Sequence, residues 1–80
     1  MKTEFFDRSG KPLYLGDTVQ YRLNSSSASL LKVAKTKKGI ELVNPEYART
    51  YPNQAHRGSI PVSRKYEKYL SIVDTSERES

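Results

Sequence analysis

The chain has 80 residues, 35% of them hydrophobic, a formal net charge of +5 and no cysteine. That length holds one small core and leaves no room for a second. The missing cysteines exclude disulfides, thiolate metal sites and cysteine nucleophiles, and no apolar run approaches the roughly 20 residues that span a bilayer.

Thr3-Glu4-Phe5-Phe6 is a short apolar start, followed by Asp7-Arg8-Ser9-Gly10-Lys11-Pro12, a run rich in turn residues. Asp and Ser bond to nearby backbone, and Gly supplies positive φ. Leu13-Tyr14-Leu15 leads into a second turn signal at Gly16-Asp17. In residues 18–23, Val19, Tyr21 and Leu23 alternate with Thr18, Gln20 and Arg22, which predicts a strand with one wet face.

Asn24-Ser25-Ser26-Ser27 reads as a polar loop. Residues 28–35 are a strand candidate with Leu31 and Val33 on one face, although Ala, Leu and Lys also suit a helix. Thr36-Lys37-Lys38-Gly39 has the form of a hairpin turn with glycine at positive φ, and Ile40-Glu41-Leu42-Val43 returns as a strand with Ile40 and Leu42 inward. That pairing favours the strand reading of 28–35.

Residues 44–61 carry prolines at 45, 52 and 61, which argues against a regular element and predicts one long loop. A short helical turn is expected over 63–68, with Ser63 as its cap and Tyr66 facing the core. Leu70-Ser71-Ile72-Val73 closes the domain as a last strand. The domain is expected to span 1–73, with 74–80 a polar, disordered tail.

Short strands with Gly and Pro turns predict a mostly-β fold of five or six strands rolled into a small barrel, since closure hides the edges that a short chain cannot cover. The segment Asp7 to Val19 fits D-x-x-G-x-x-L-x-x-G-D-x-V through Asp7, Gly10, Leu13, Gly16, Asp17 and Val19. It resembles the opening of small SH3-like β-barrels common in phage and prophage genomes, including YopX-type proteins. The resemblance covers about 13 residues and implies a fold and a mobile-element origin; the motif carries no chemistry.

Charge is unevenly spread. Residues 25–70 hold nine bases against three acids, whereas 71–80 hold one base against three acids. A basic middle points to nucleic acid or an acidic protein surface. His56 is the single histidine, flanked by Ala55 and Arg57 in the long loop, with no second histidine or cysteine to join it. A triad needs a nucleophile, a base and an orienter in fixed geometry. Asp7 and Asp17 read as turn formers, and the four glycines are scattered singly, so no phosphate-cradling loop is present. The expectation is a binding protein with no enzymatic activity and no cofactor.

Two contact sets follow. Tyr47, Arg49, Tyr51 and Arg57 share one irregular segment and supply the tyrosine and arginine favoured at protein interfaces. This set predicts a protein partner; the phage resemblance implies a host enzyme or complex, which the protein would inhibit. Lys35, Lys37, Lys38, Arg64, Lys65 and Lys68 make the alternative set, for nucleic acid, with Tyr47, Tyr51, Tyr66 and Tyr69 as stacking surfaces interleaved with the cations. A small domain without disulfides and without an apolar leader is expected in the cytoplasm, that of a bacterial host if phage-encoded.

Overall fold

Two aspartate corners organise the first twenty residues. In the computed structural model, which describes residues 1–24, 27–50 and 59–78, strand β1 (Lys2–Phe6) pairs antiparallel with β2 (Pro12–Tyr14). The turn between them is built on Asp7. Its Oδ1 accepts the Ser9 and Lys11 N–H groups, both at 2.9 Å, and its Oδ2 accepts the Ile72 N–H at 3.3 Å. Asp17 makes the next corner, where its Oδ2 accepts the Tyr14 N–H at 3.0 Å. Gly16 between them has φ +93°, a conformation costly for any residue with a Cβ. Both aspartates are the turn formers that their context predicts.

The remaining strands are β3 (Thr18–Asn24), β4 (Ser27–Thr36), β5 (Gly39–Val43), β6 (Ile60–Pro61) and β7 (Leu70–Asp74). They form one antiparallel sheet in the order β6-β5-β4-β3-β7. A 3-10 helix, Arg64–Tyr69, joins the two edge strands β6 and β7. The chain thus bridges the gap that the hydrogen bonds leave open, which gives a small, mostly-β, barrel-like fold. Segment 28–35 is strand, as its pairing with 40–43 predicts; Val33 lies opposite Leu42 and Lys35 opposite Ile40. Seven strands are present among the described residues where five or six were expected. The strands not named from the sequence are β1, β2 and β6, each of two to five residues and too short to show an alternation.

The core follows the period-two pattern. Leu13, Val19, Leu42 and Leu70 are fully buried, and Leu15, Tyr21, Leu31, Val33 and Val62 join them. Burying side chains of this kind is worth about 1.5–3 kcal/mol each. Ile40 and Tyr66 pack against this cluster, as expected.

The expectation of no regular element in 44–61 is corrected at both ends. Helix α1 (Pro45–Thr50) starts with proline in its first turn, where the missing N–H has no intrahelical use. The Asn44 side chain accepts the Glu46 N–H at 2.9 Å, and Glu46 and Arg49 match the helix dipole at their respective ends. Pro61 is tolerated because β6 is an edge strand. A second correction concerns Ser63. It occupies the cap position of the 3-10 helix, but its buried hydroxyl finds no hydrogen-bond partner among the described residues.

The polar tail makes defined contacts in its described part, 74–78. Asp74 Oδ1 accepts the Ser76 N–H at 2.9 Å, and Arg78 N–H bonds the Thr75 carbonyl at 3.2 Å. Those bonds fold the segment into a turn that lies back over Gly16 and Asp17.

Candidate docking surface

The β4–β5 hairpin is the firmest platform for basic side chains. Thr36 pairs with Gly39, so Lys37 and Lys38 are the two loop residues, and Gly39 takes the positive φ that closes such a loop, +114°. The Thr36 hydroxyl accepts the Lys38 N–H at 3.1 Å and donates to Glu41 Oε1 at 2.6 Å. Glu41 points away from the Leu42 side of β5, yet it is buried. Thr36, Lys37, Lys38 and Glu41 line a recess of about 340 Å³. A hydroxyl bonded to loop backbone and to a buried carboxylate fixes the backbone that carries both lysines. Sequence reasoning missed Thr36 and Glu41. The available signal was a threonine just before the two-residue loop, five residues ahead of a glutamate.

Strand β6 leads into a second group of cations. Its register sets Ile60 opposite Leu42 and Pro61 opposite Glu41, and the Val62 N–H bonds the Ile40 carbonyl at 3.0 Å. The chain therefore runs toward the hairpin loop just before the 3-10 helix begins at Arg64. Lys35, Lys37, Lys38, Arg64 and Lys65 are all exposed; the first three lie on or beside the hairpin loop, and the other two open the 3-10 helix that follows β6. Arg64 pairs with Glu67 at 3.7 Å, and among the described residues the other four have no ion-pair partner. Lys68 lies farther along the helix, toward Leu70.

Tyr66 and Tyr69 are not open stacking platforms. Their rings pack on Tyr21, with centroids 6.1 and 6.3 Å away, and both belong to the margin of the core. Lys65 and Lys68 lie over these two rings at 5.3 and 5.2 Å. Burial raises the Tyr21 phenol above its ordinary value, and the neighbouring Tyr66 and Tyr69 add to the effect. The three tyrosines thus form one packed group beneath the 3-10 helix. The Tyr14 ring is covered by Arg78.

The protein-contact set is only partly placed. Arg49 is exposed on α1 and bonds Glu46 at 3.0 Å, and Tyr47 lies on the same helix. Tyr51 and Arg57 lie outside the described residues, as does His56. Helix α1 leaves β5 at the end away from the hairpin loop, and five residues of strand separate the two by about 17 Å. Arg49 and the lysine hairpin therefore occupy opposite ends of β5. Among the described residues no group of three or more histidine, cysteine or acidic side chains is arranged to hold a metal ion.

No family model, curated protein or solved structure matches this chain significantly.

Proposed function

We propose that this chain is a non-catalytic binding module that docks its basic hairpin end onto an acidic protein surface. The carrying observation is the trio of exposed lysines Lys35, Lys37 and Lys38 on a hairpin whose loop is pinned by Thr36 and Glu41, with Arg64 and Lys65 exposed where the chain leaves β6. Lysines clustered on a pinned loop attract a complementary surface over several ångströms and speed its encounter. The placement of Tyr66 and Tyr69 supports protein over nucleic acid as the partner. Single-stranded nucleic acid is held by stacking as well as by phosphate contacts, and these rings are committed to Tyr21. The resemblance of the opening segment to phage barrels extends the reading to a host enzyme or complex, inhibited by occupancy in the bacterial cytoplasm.

The test is capture from bacterial lysate by the full chain and by a Lys37→Glu/Lys38→Glu variant, each with and without nuclease. A discrete protein retained after nuclease by the parent chain, and depleted at least about tenfold by the double charge reversal, is the expected result. Loss of all captured material on nuclease treatment would overturn the reading in favour of nucleic acid. Equal capture by both chains would remove the hairpin from the interface.

A further inference from the structure

We propose that the Tyr14–Asp17 corner is a guanidinium-binding site, filled in this chain by its own Arg78 and open to the arginine side chain of a partner when the tail is displaced.

The receptor side is built without the tail. With the tail in place Asp17 is fully buried, and its Oδ2 is taken by the Tyr14 N–H. The Asp17 N–H returns to the Tyr14 carbonyl at 3.1 Å, so residues 14–17 form a closed turn. That turn is fixed to β4 by two further bonds, Gly16 N–H to the Val33 carbonyl at 2.8 Å and Val33 N–H to the Asp17 carbonyl at 3.0 Å. These four bonds leave Asp17 Oδ1 aimed outward beside the Tyr14 ring. With the tail away, Oδ1 has no protein donor among the described residues and only water to pair it, so a guanidinium that settles there gains a charge-assisted bond.

Arg78 fills that place in the way only a guanidinium can. Its Nε–H donates to Asp17 Oδ1 at 2.6 Å, while its guanidinium carbon sits 4.2 Å from the centroid of the Tyr14 ring. A flat, weakly hydrated cation satisfies the carboxylate with its edge and the ring with its face together; a lysine ammonium is compact and strongly hydrated and does not. The hydrogen bond from Arg78 to Asp17 is the main cause that raises the arginine pKa, with the negative charge of Asp17 adding to it.

The tail side is a short latch. Arg78 follows the end of β7 by four residues, with the Asp74–Ser76 and Thr75–Arg78 bonds shaping the turn and Glu77 paired to Lys32. Such tethering gives Arg78 a high effective concentration at the site. The arginine side chain is still 36% exposed, and no residue of the described tail, 74–78, belongs to the core. The site is thus occupied and exchangeable.

Chemical rescue in the full chain tests the proposal. An Arg78→Ala variant empties the site. Its melting temperature is expected to fall by roughly 5 °C, and the Tyr14 and Asp17 backbone amide resonances should shift. Millimolar ethylguanidinium should restore both in the variant and do nothing to the parent chain, whereas ethylammonium should do neither. An Arg78→Lys variant should show the same displaced amide resonances, although its charge is kept. The proposal is overturned if Tyr14 and Asp17 amides are unchanged in Arg78→Ala or Arg78→Lys. It is equally overturned if ethylammonium rescues as well as ethylguanidinium, or if neither does.

Discussion

Asp7 and Asp17 are ten residues apart, both buried, and both turn formers, yet their charges are satisfied in different ways. Asp7 takes three backbone N–H groups, from Ser9, Lys11 and Ile72. Its corner is sealed by main chain, and the Ile72 bond staples the first turn to the last strand. Asp17 takes one backbone N–H and one side-chain donor, Arg78, which arrives from a distance of 61 residues in sequence. Main-chain donors cannot leave without unfolding the turn, whereas a side-chain donor on an exposed segment can. The same residue type in the same motif therefore makes a permanent structural corner at one place and an exchangeable one at the other.

The largest effect that separates them is expected at Asp7. Replacing it with alanine strands three N–H groups, and the loss should reach about 3 kcal/mol by urea unfolding, since bonds to a charged acceptor are worth about 1.5–3 kcal/mol each and partial hydration offsets part of the total. Deleting the donor at the other corner, in Arg78→Ala, should cost less than Asp7→Ala. Equal losses would mean that the tail is as integral to the fold as the first turn, and the contrast between the corners would collapse.

What the sequence disclosed divides along the same line. The Asp7 and Asp17 corners, the β3 alternation and the β4–β5 hairpin were legible because turn chemistry and period-two patterning act over a few residues. The Arg78–Asp17 contact was invisible, because nothing local marks one arginine in a polar tail as the partner of one buried carboxylate. Ile40 and Leu42 were read as inward, and Glu41 between them, on the other side of the strand, is buried as well. Helix α1 was hidden by counting prolines without asking where in a helix Pro45 would fall. The six basic residues of the alternative set were recognisable as a class, but which of them share the hairpin and which the 3-10 helix depends on strand pairing far apart in the chain. The tyrosines misled for a related reason: adjacency to lysine in sequence does not distinguish a stacking platform from a core ring.

Gly16 gives a mid-sized effect that sharpens the contrast. Its φ of +93° and the Glu77 carbonyl against its Cα mean that alanine here is disfavoured twice, once by its own backbone and once by the tail. Gly16→Ala should cost about 1–2 kcal/mol for the left-handed backbone alone, plus whatever is lost when the latch is pushed off. The two parts separate in a double-mutant cycle with Arg78→Ala. In that background the Gly16→Ala penalty should shrink toward the backbone part. Simple additivity would show that the tail does not rest on Gly16.

The smallest effect concerns the other tail contact, Glu77 with Lys32. Both side chains are partly solvated, with 61% and 30% exposure, so the pair is screened and its worth is small. Lys32→Ala should change stability by no more than about 0.5 kcal/mol, and the Tyr14 and Asp17 amide resonances should stay where they are in the parent chain. That outcome would place the grip of the latch in a single buried carboxylate and the arginine that meets it. If Lys32→Ala displaced those resonances as far as Arg78→Ala does, the tail would be held by its charge as a whole. The selectivity for guanidinium over ammonium should then vanish with it, because a general electrostatic attraction does not distinguish a planar cation from a spherical one.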